Sequence, residues 1–175
     1  MPNPLFLIGY RGCGKSTVGR LLSAQIGWES VDSDDVIEAE AGKPIAAIFA
    51  EDGEPAFRDH EERVVAALCD RPRVVASLGG GAVLRPKTRD RLAAAGPVVW
   101  LEAPADTLAA RITADSSSGQ RRPSLTGAPA AEEVARVLAE RTPVYRACAT
   151  VAVDADGRPP EAVADEIAAW LAARG

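Results

Sequence analysis

Five short apolar runs punctuate the chain, and each leads into a glycine or an acidic residue. They are residues 5–8 before Gly9, the stretch at Val31 before Asp32-Ser33-Asp34, 74–78 before Gly79-Gly80-Gly81, 98–101 before Glu102, and 150–153 before Asp154. Runs this short and continuous predict strands of a parallel sheet buried on both faces. Between them, apolar positions recur at helical spacing over 16–26, 55–68, 85–95, 105–112, 131–148 and 160–172. Strand alternating with helix implies right-handed crossovers and an open, doubly wound α/β sheet. Such sheets bind ligands at the carboxyl ends of their strands. With 175 residues the chain makes a single domain, 1–175. Residues 113–130 follow neither period. They carry Ser116-Ser117-Ser118-Gly119 and then Arg121-Arg122-Pro123, and are expected to form a lid.

Composition narrows the field. The formal net charge is −5, which disfavours a nucleic-acid binder, since that role needs a basic face. A hydrophobic fraction of 47% with 26% charged residues fits a globular domain. No apolar stretch is long enough to span a bilayer, and no basic segment precedes the first apolar run, so neither a membrane span nor a secretory signal is expected. Cys13, Cys69 and Cys148 are read as free thiols in a reducing compartment.

The chemistry starts at Gly9-Tyr10-Arg11-Gly12-Cys13-Gly14-Lys15-Ser16, a complete G-x-x-x-x-G-K-[ST] between a predicted strand and a predicted helix. Its glycines let backbone N–H groups converge on phosphate oxygens, and the helix start adds its positive end. Lys15 is expected to reach the β- and γ-phosphates and Ser16 to ligate Mg²⁺. Cys13, beside Lys15 at that helix start, is expected to be an acidified and oxidisable thiol. No N-K-x-D guanine-reading motif is present, which points to a small kinase.

Other residues stand out against their surroundings. Asp32 and Asp34 can serve Mg²⁺ water or an acceptor hydroxyl, or Ser33 or Asp34 can simply cap a helix. Glu61 falls on the apolar stripe Phe57, Glu61, Val64, Leu68, with Arg58 as its obvious partner. Arg141 lies in the row Val134, Leu138, Arg141, Tyr145, Cys148, where either an ion pair or a ligand anion must satisfy it. Gly79, Gly80 and Gly81 at a strand end allow close backbone approach to a substrate. His60, the only histidine, is read as a helix-surface residue.

Together these motifs resemble the shikimate kinase family, of the nucleoside-monophosphate-kinase-like P-loop fold. The resemblance runs through Gly12-Cys13-Gly14-Lys15-Ser16-Thr17, Asp32-Ser33-Asp34, Phe57-Arg58 with Glu61, Ser77-Leu78-Gly79-Gly80-Gly81, Arg122-Pro123, Arg141-Thr142-Pro143-Val144-Tyr145, and Val153-Asp154 through Arg158. It implies a three-layer αβα fold with a five-stranded parallel sheet, a substrate-binding helical part at about 32–62 and a mobile lid at about 113–130. It implies transfer of the γ-phosphoryl of MgATP to the 3-hydroxyl of shikimate, in the route to chorismate and aromatic amino acids. By the same resemblance Gly12, Cys13, Gly14, Lys15, Ser16, Thr17, Arg111, Arg122 and Arg158 would serve ATP. Ser16 would bind Mg²⁺ directly and Asp32 through water. Asp34, Arg58, Gly79, Gly80, Gly81 and Arg141 would serve shikimate, and Lys15, Asp34 and Arg122 would act in catalysis. A cytoplasmic monomer is expected. Ser124 stands where the family commonly has Leu, and Arg121 competes with Arg122 for the lid role. A kinase for gluconate or another sugar acid, a nucleoside monophosphate kinase, and a nucleotide sensor without transfer activity remain rival readings.

Overall fold

The computed structural model describes residues 3–115, 124 and 127–174. Its strands are β1 (Leu5–Ile8), β2 (Glu29–Asp32), β3 (Val74–Ser77), β4 (Val98–Glu102) and β5 (Val151–Asp154). All pair in parallel in the order β2-β3-β1-β4-β5. Hydropathy explains the order. Every residue of β1 and β3 is buried, as befits inner strands. The strands with exposed positions, β2 and β5, take the edges. The expected five-stranded αβα architecture is the one observed.

The helices are α1 (Lys15–Ile26), α2 (Ser33–Ala41), α3 (Ile45–Glu51), α4 (Gly53–Cys69), α5 (Pro86–Ala95), α6 (Ala105–Ala114), α7 (Ala130–Cys148) and α8 (Pro160–Ala172). Helix α1 packs on α8, α6 on α7, and α4 on α3 and α5. The periodicity anticipated six of these within a residue or two of their ends. It assigned neither α2 nor α3. Helix α2 is nine residues long with only Ser33 and Ile37 buried, so its apolar period is too thin to read. Helix α3 is seven residues long and is anchored by fully buried Ile45 and Ile48. Its start is capped from α2, where Glu38 Oε1 accepts the Ile45 N–H at 3.0 Å. The helix cap at α2 also differs from expectation. Asp32, not Ser33 or Asp34, is the N-cap, its Oδ1 accepting the Asp34 N–H at 2.9 Å.

Register places the chemistry. Ser77 at the end of β3 pairs with Leu7 of β1 on one side and Asp32 of β2 on the other. The carboxyl ends of these strands are therefore level, and the segments that leave them converge at one edge of the sheet.

Candidate active site

The phosphate loop leaves β1 and turns into α1 at Gly14. Gly14 has φ 97°, a conformation costly for any residue with a Cβ, and donates no side-chain cap. The first-turn N–H groups of α1 are thus left for an external acceptor, which suits an anion. Lys15 Nζ lies back across the loop and donates to the carbonyls of Gly9 (2.7 Å) and Tyr10 (3.0 Å). From β3, the Ser77 hydroxyl donates to the Lys15 carbonyl at 3.0 Å, tying the start of α1 to the sheet.

Asp32 uses both oxygens. One caps α2 and the other accepts the Ser16 hydroxyl at 2.5 Å. The end of β2, the start of α1 and the start of α2 are held by one carboxylate. Asp34 follows in the first turn of α2 and lines the same cleft. The two acids lie on either side of the strand-to-helix turn, which brings both to one cleft. Ser33, fully buried between them, accepts the Gly79 N–H at 3.0 Å and so fastens the glycine segment after β3.

Arg58 and Glu61 are both buried on the inner face of α4, at 8% and 2% exposure, and form the expected ion pair. Arg58 is also held by Glu54 at 3.0 Å. A Cβ at Gly81 would run into its guanidinium, which accounts for the third glycine of the run. Gly81 itself does not line the cleft, whereas Gly79 and Gly80 do. Arg141 enters the cleft from α7 beside Gly80. Four residues on, the buried Tyr145 hydroxyl donates to the Gly80 carbonyl at 2.5 Å. Burial pushes the Tyr145 phenol well above the usual tyrosine range, although nearby Arg141 pulls the other way. It therefore stays neutral and a donor.

The resulting cleft holds about 440 Å³ and joins Gly12, Gly14, Lys15, Ser16, Thr17, Asp32, Asp34, Arg58, Gly79, Gly80, Arg111 and Arg141. Arg111 reaches it from α6 while donating to the carbonyls of Gly12 (3.3 Å) and Ala155 (3.1 Å). Arg158 does not line it. Its guanidinium is engaged by the Asp154 and Ala162 carbonyls and by Glu166 at 2.6 Å. Arg121, Arg122 and Pro123 lie outside the described residues. Cys13 is 2% exposed and its side chain belongs to the core cluster, so only its backbone is available to a ligand. That burial removes the access an oxidisable thiol needs. Cys69, raised to about 11, and Cys148, also raised, are made less reactive by burial. His60, half-buried on α4, meets Arg63 at 2.8 Å.

Sequence reasoning missed several lining residues: Tyr10, Arg11, Phe49, Asp115 and Glu133. Phe49 comes from the unassigned α3 and stacks on Phe57 with centroids 4.7 Å apart. Glu133 was legible as an acid in the first turn of a helix, but nothing in its spacing marked it as buried.

The cleft thus joins a phosphate loop, two buried arginines and the Asp34 carboxylate, and the whole chain is similar to known proteins. The family model described as shikimate kinase matches residues 11–172. The chain belongs to the shikimate kinase family. A shikimate kinase from Rhodopirellula baltica is 45% identical over 166 residues, which is 95% of this chain and 89% of that protein. Among solved structures, shikimate kinase from Acinetobacter baumannii in complex with shikimate superposes with a TM-score of 0.92 at 30% identity, covering 99% of this chain and 95% of that one. A gluconokinase from Sinorhizobium meliloti, with a TM-score of 0.61 and 19% identity, covers 99% of this chain and 93% of that one and shares the fold alone. The shikimate kinase family match spans the phosphate loop from Arg11 onward, both arginine-bearing helices and all of α8.

Proposed function

We propose that this shikimate kinase transfers the γ-phosphoryl group of ATP to the 3-hydroxyl of shikimate, giving shikimate 3-phosphate and ADP. The observation that carries the reading is the meeting, in one cleft, of a phosphate loop with Asp34 and the two buried arginines Arg58 and Arg141. A loop that ends in a bare helix N-terminus suits a polyphosphate. Two guanidiniums in the same cleft suit a carboxylate, which arginine can hold bidentately. Asp34 lies in the same cleft, where its carboxylate would orient the acceptor hydroxyl for in-line attack. In a loose phosphoryl-transfer transition state, positioning and charge stabilisation carry most of the catalysis. Lys15, once drawn off the Gly9 and Tyr10 carbonyls, would neutralise charge on the transferring group, with Arg122 as its partner from the lid. Gly12, Cys13, Gly14 and Thr17 would hold phosphates through backbone and hydroxyl groups, and Arg111 would flank the base. Arg158, engaged with Glu166, would have to exchange that partner to share the role.

The Ser16 hydroxyl and Asp32 carboxylate, 2.5 Å apart at the cleft, are hard oxygen donors that fit Mg²⁺, which takes most of its ligands from water and phosphate. Ser16 would hold the ion directly and Asp32 through water, and the ion would neutralise the phosphate oxygens as charge shifts to the leaving group. The same proposal makes the protein a cytoplasmic monomer acting in the route to aromatic amino acids.

A coupled assay of ADP release with shikimate, with gluconate and with neither tests the acceptor. Shikimate-dependent release with less than about a hundredth of that rate on gluconate is expected. Turnover on gluconate alone would keep the nucleotide site and overturn the acceptor.

A further inference from the structure

We infer that Tyr10, a residue of the phosphate loop, is the positioning residue for Arg141 and thereby serves the acceptor side of the cleft; this rests on the shikimate reading above. Two arginines face the cleft, and they are held in opposite ways. Arg58 is gripped by the carboxylates of Glu54 and Glu61. Among the described residues no carboxylate forms an ion pair with Arg141. What its guanidinium meets is the ring of Tyr10, with Cζ 5.8 Å from the centroid, and the phenol of Tyr145.

The difference matters for binding an anion. A resident carboxylate would use some of the five N–H donors and neutralise the charge that the ligand must find. An aromatic face attracts the cation through its quadrupole and uses none of the in-plane donors. Arg141 is thus steered while its charge and its fork remain available. The attraction strengthens where water is excluded, and Tyr10 and Arg141 are 4% and 9% exposed. The backbone that carries the ring is held within the loop. The Tyr10 carbonyl accepts from Lys15 Nζ at 3.0 Å and from the Cys13 N–H at 3.2 Å. The Tyr10 hydroxyl makes no hydrogen bond with a described residue, so the ring face is what the side chain offers. One loop residue therefore presents its backbone to the nucleotide lysine and its side chain to the acceptor arginine.

The test compares shikimate KM, kcat and ADP Kd in the full-length wild type, Tyr10→Leu, Tyr10→Phe, Arg141→Gln and the double variant Tyr10→Leu with Arg141→Gln. Tyr10→Leu is expected to raise shikimate KM about tenfold, equivalent to about 1.4 kcal/mol, while ADP Kd moves less than about twofold. Tyr10→Phe keeps the ring and is expected to rescue KM to within about twofold of wild type. The Tyr10→Leu effect is expected to vanish in the Arg141→Gln background, because the two residues act as one unit. If Tyr10→Leu fails to fold, Tyr10→Met carries the same comparison with a more adaptable apolar side chain. An unchanged KM in the Leu or Met variant, an equal loss in Tyr10→Phe, additive effects in the double variant, or a parallel loss of ADP affinity would each overturn the inference while leaving the functional reading intact. A wild type inert toward shikimate would overturn both.

Discussion

At the scale of single residues, the placing of Arg58 depends on an absent side chain. Arg58 is pinned on two carboxylates of its own helix, so its guanidinium has little room to retreat. Gly81, buried after β3, lies where a Cβ would collide with that guanidinium. Its φ is not in the left-handed region, so the constraint is space and not backbone conformation. Gly81→Ala is therefore expected to displace Arg58 at a cost of about 1–3 kcal/mol, the usual range for overpacking. For a chain of this size that lowers Tm by roughly 2–4 °C per kcal/mol. Shikimate KM is expected to rise at least about fivefold with kcat falling too, because misplaced binding groups hurt both. ADP affinity, proposed to rest on the phosphate loop, is expected to stay put. Steady-state kinetics together with ADP titration check this, and a variant with wild-type KM would show that Arg58 can give way without loss.

At the scale of elements, α4 is tied to the start of α5 by Glu62, which pairs with Lys87 at 2.6 Å and Arg85 at 2.9 Å. These cations, chiefly through hydrogen bonds, lower the Glu62 carboxyl below its ordinary value. A lowered folded pKa means that the contribution to stability is present above the unfolded value of about 4.3 and is lost as pH falls through the folded one. The Tm gap between wild type and Glu62→Gln is thus expected to be present at pH 7 and to close between about pH 5 and pH 3. Thermal melts across that range measure it, and a gap independent of pH would mean that the glutamate charge contributes nothing. Much of the element plan was legible in the sequence because strands and long helices carry their own period. The phosphate loop was legible because its chemistry is contiguous. Arg58, Glu61 and Arg141 were legible because a charge on an apolar stripe is anomalous. What could not be read are contacts between segments distant in sequence. Ser33 holding Gly79 and Tyr10 meeting Arg141 leave no local pattern. Arg158 shows the reverse case, since a motif placed it near the adenine side while Glu166, eight residues on in α8, occupies its guanidinium. Arg122 was legible only as part of the lid motif and lies outside the described residues.

At the scale of the whole molecule, the cleft is assembled from segments that the core holds separately. The phosphate loop follows the fully buried β1, and Asp34 begins α2 after edge strand β2. Arg58 comes from α4 and Arg141 from α7. A ligand that spans the cleft therefore cross-links elements whose mutual contacts are otherwise made through the sheet, and it binds the folded chain alone. Mass action then fixes the size of the effect. A ligand at a hundred times its Kd stabilises the fold by about 2.7 kcal/mol. At roughly 2–4 °C per kcal/mol, ADP with Mg²⁺ and shikimate are each expected to raise Tm by about 5–10 °C. With the two ligands proposed to use different residues of one cleft, the shifts are expected to be at least additive when both are present. Positive coupling through Tyr10 would make the joint shift exceed the sum, since the lysine leaving its carbonyl and the arginine against its ring report to the same residue. Differential scanning fluorimetry with each ligand alone and both together measures all three values. A shikimate shift that appears without nucleotide would show that the acceptor wall is formed in advance. A joint shift barely above the larger single shift would mean that the ligands compete, and that the phosphate loop and the two arginines do not serve separate ligands.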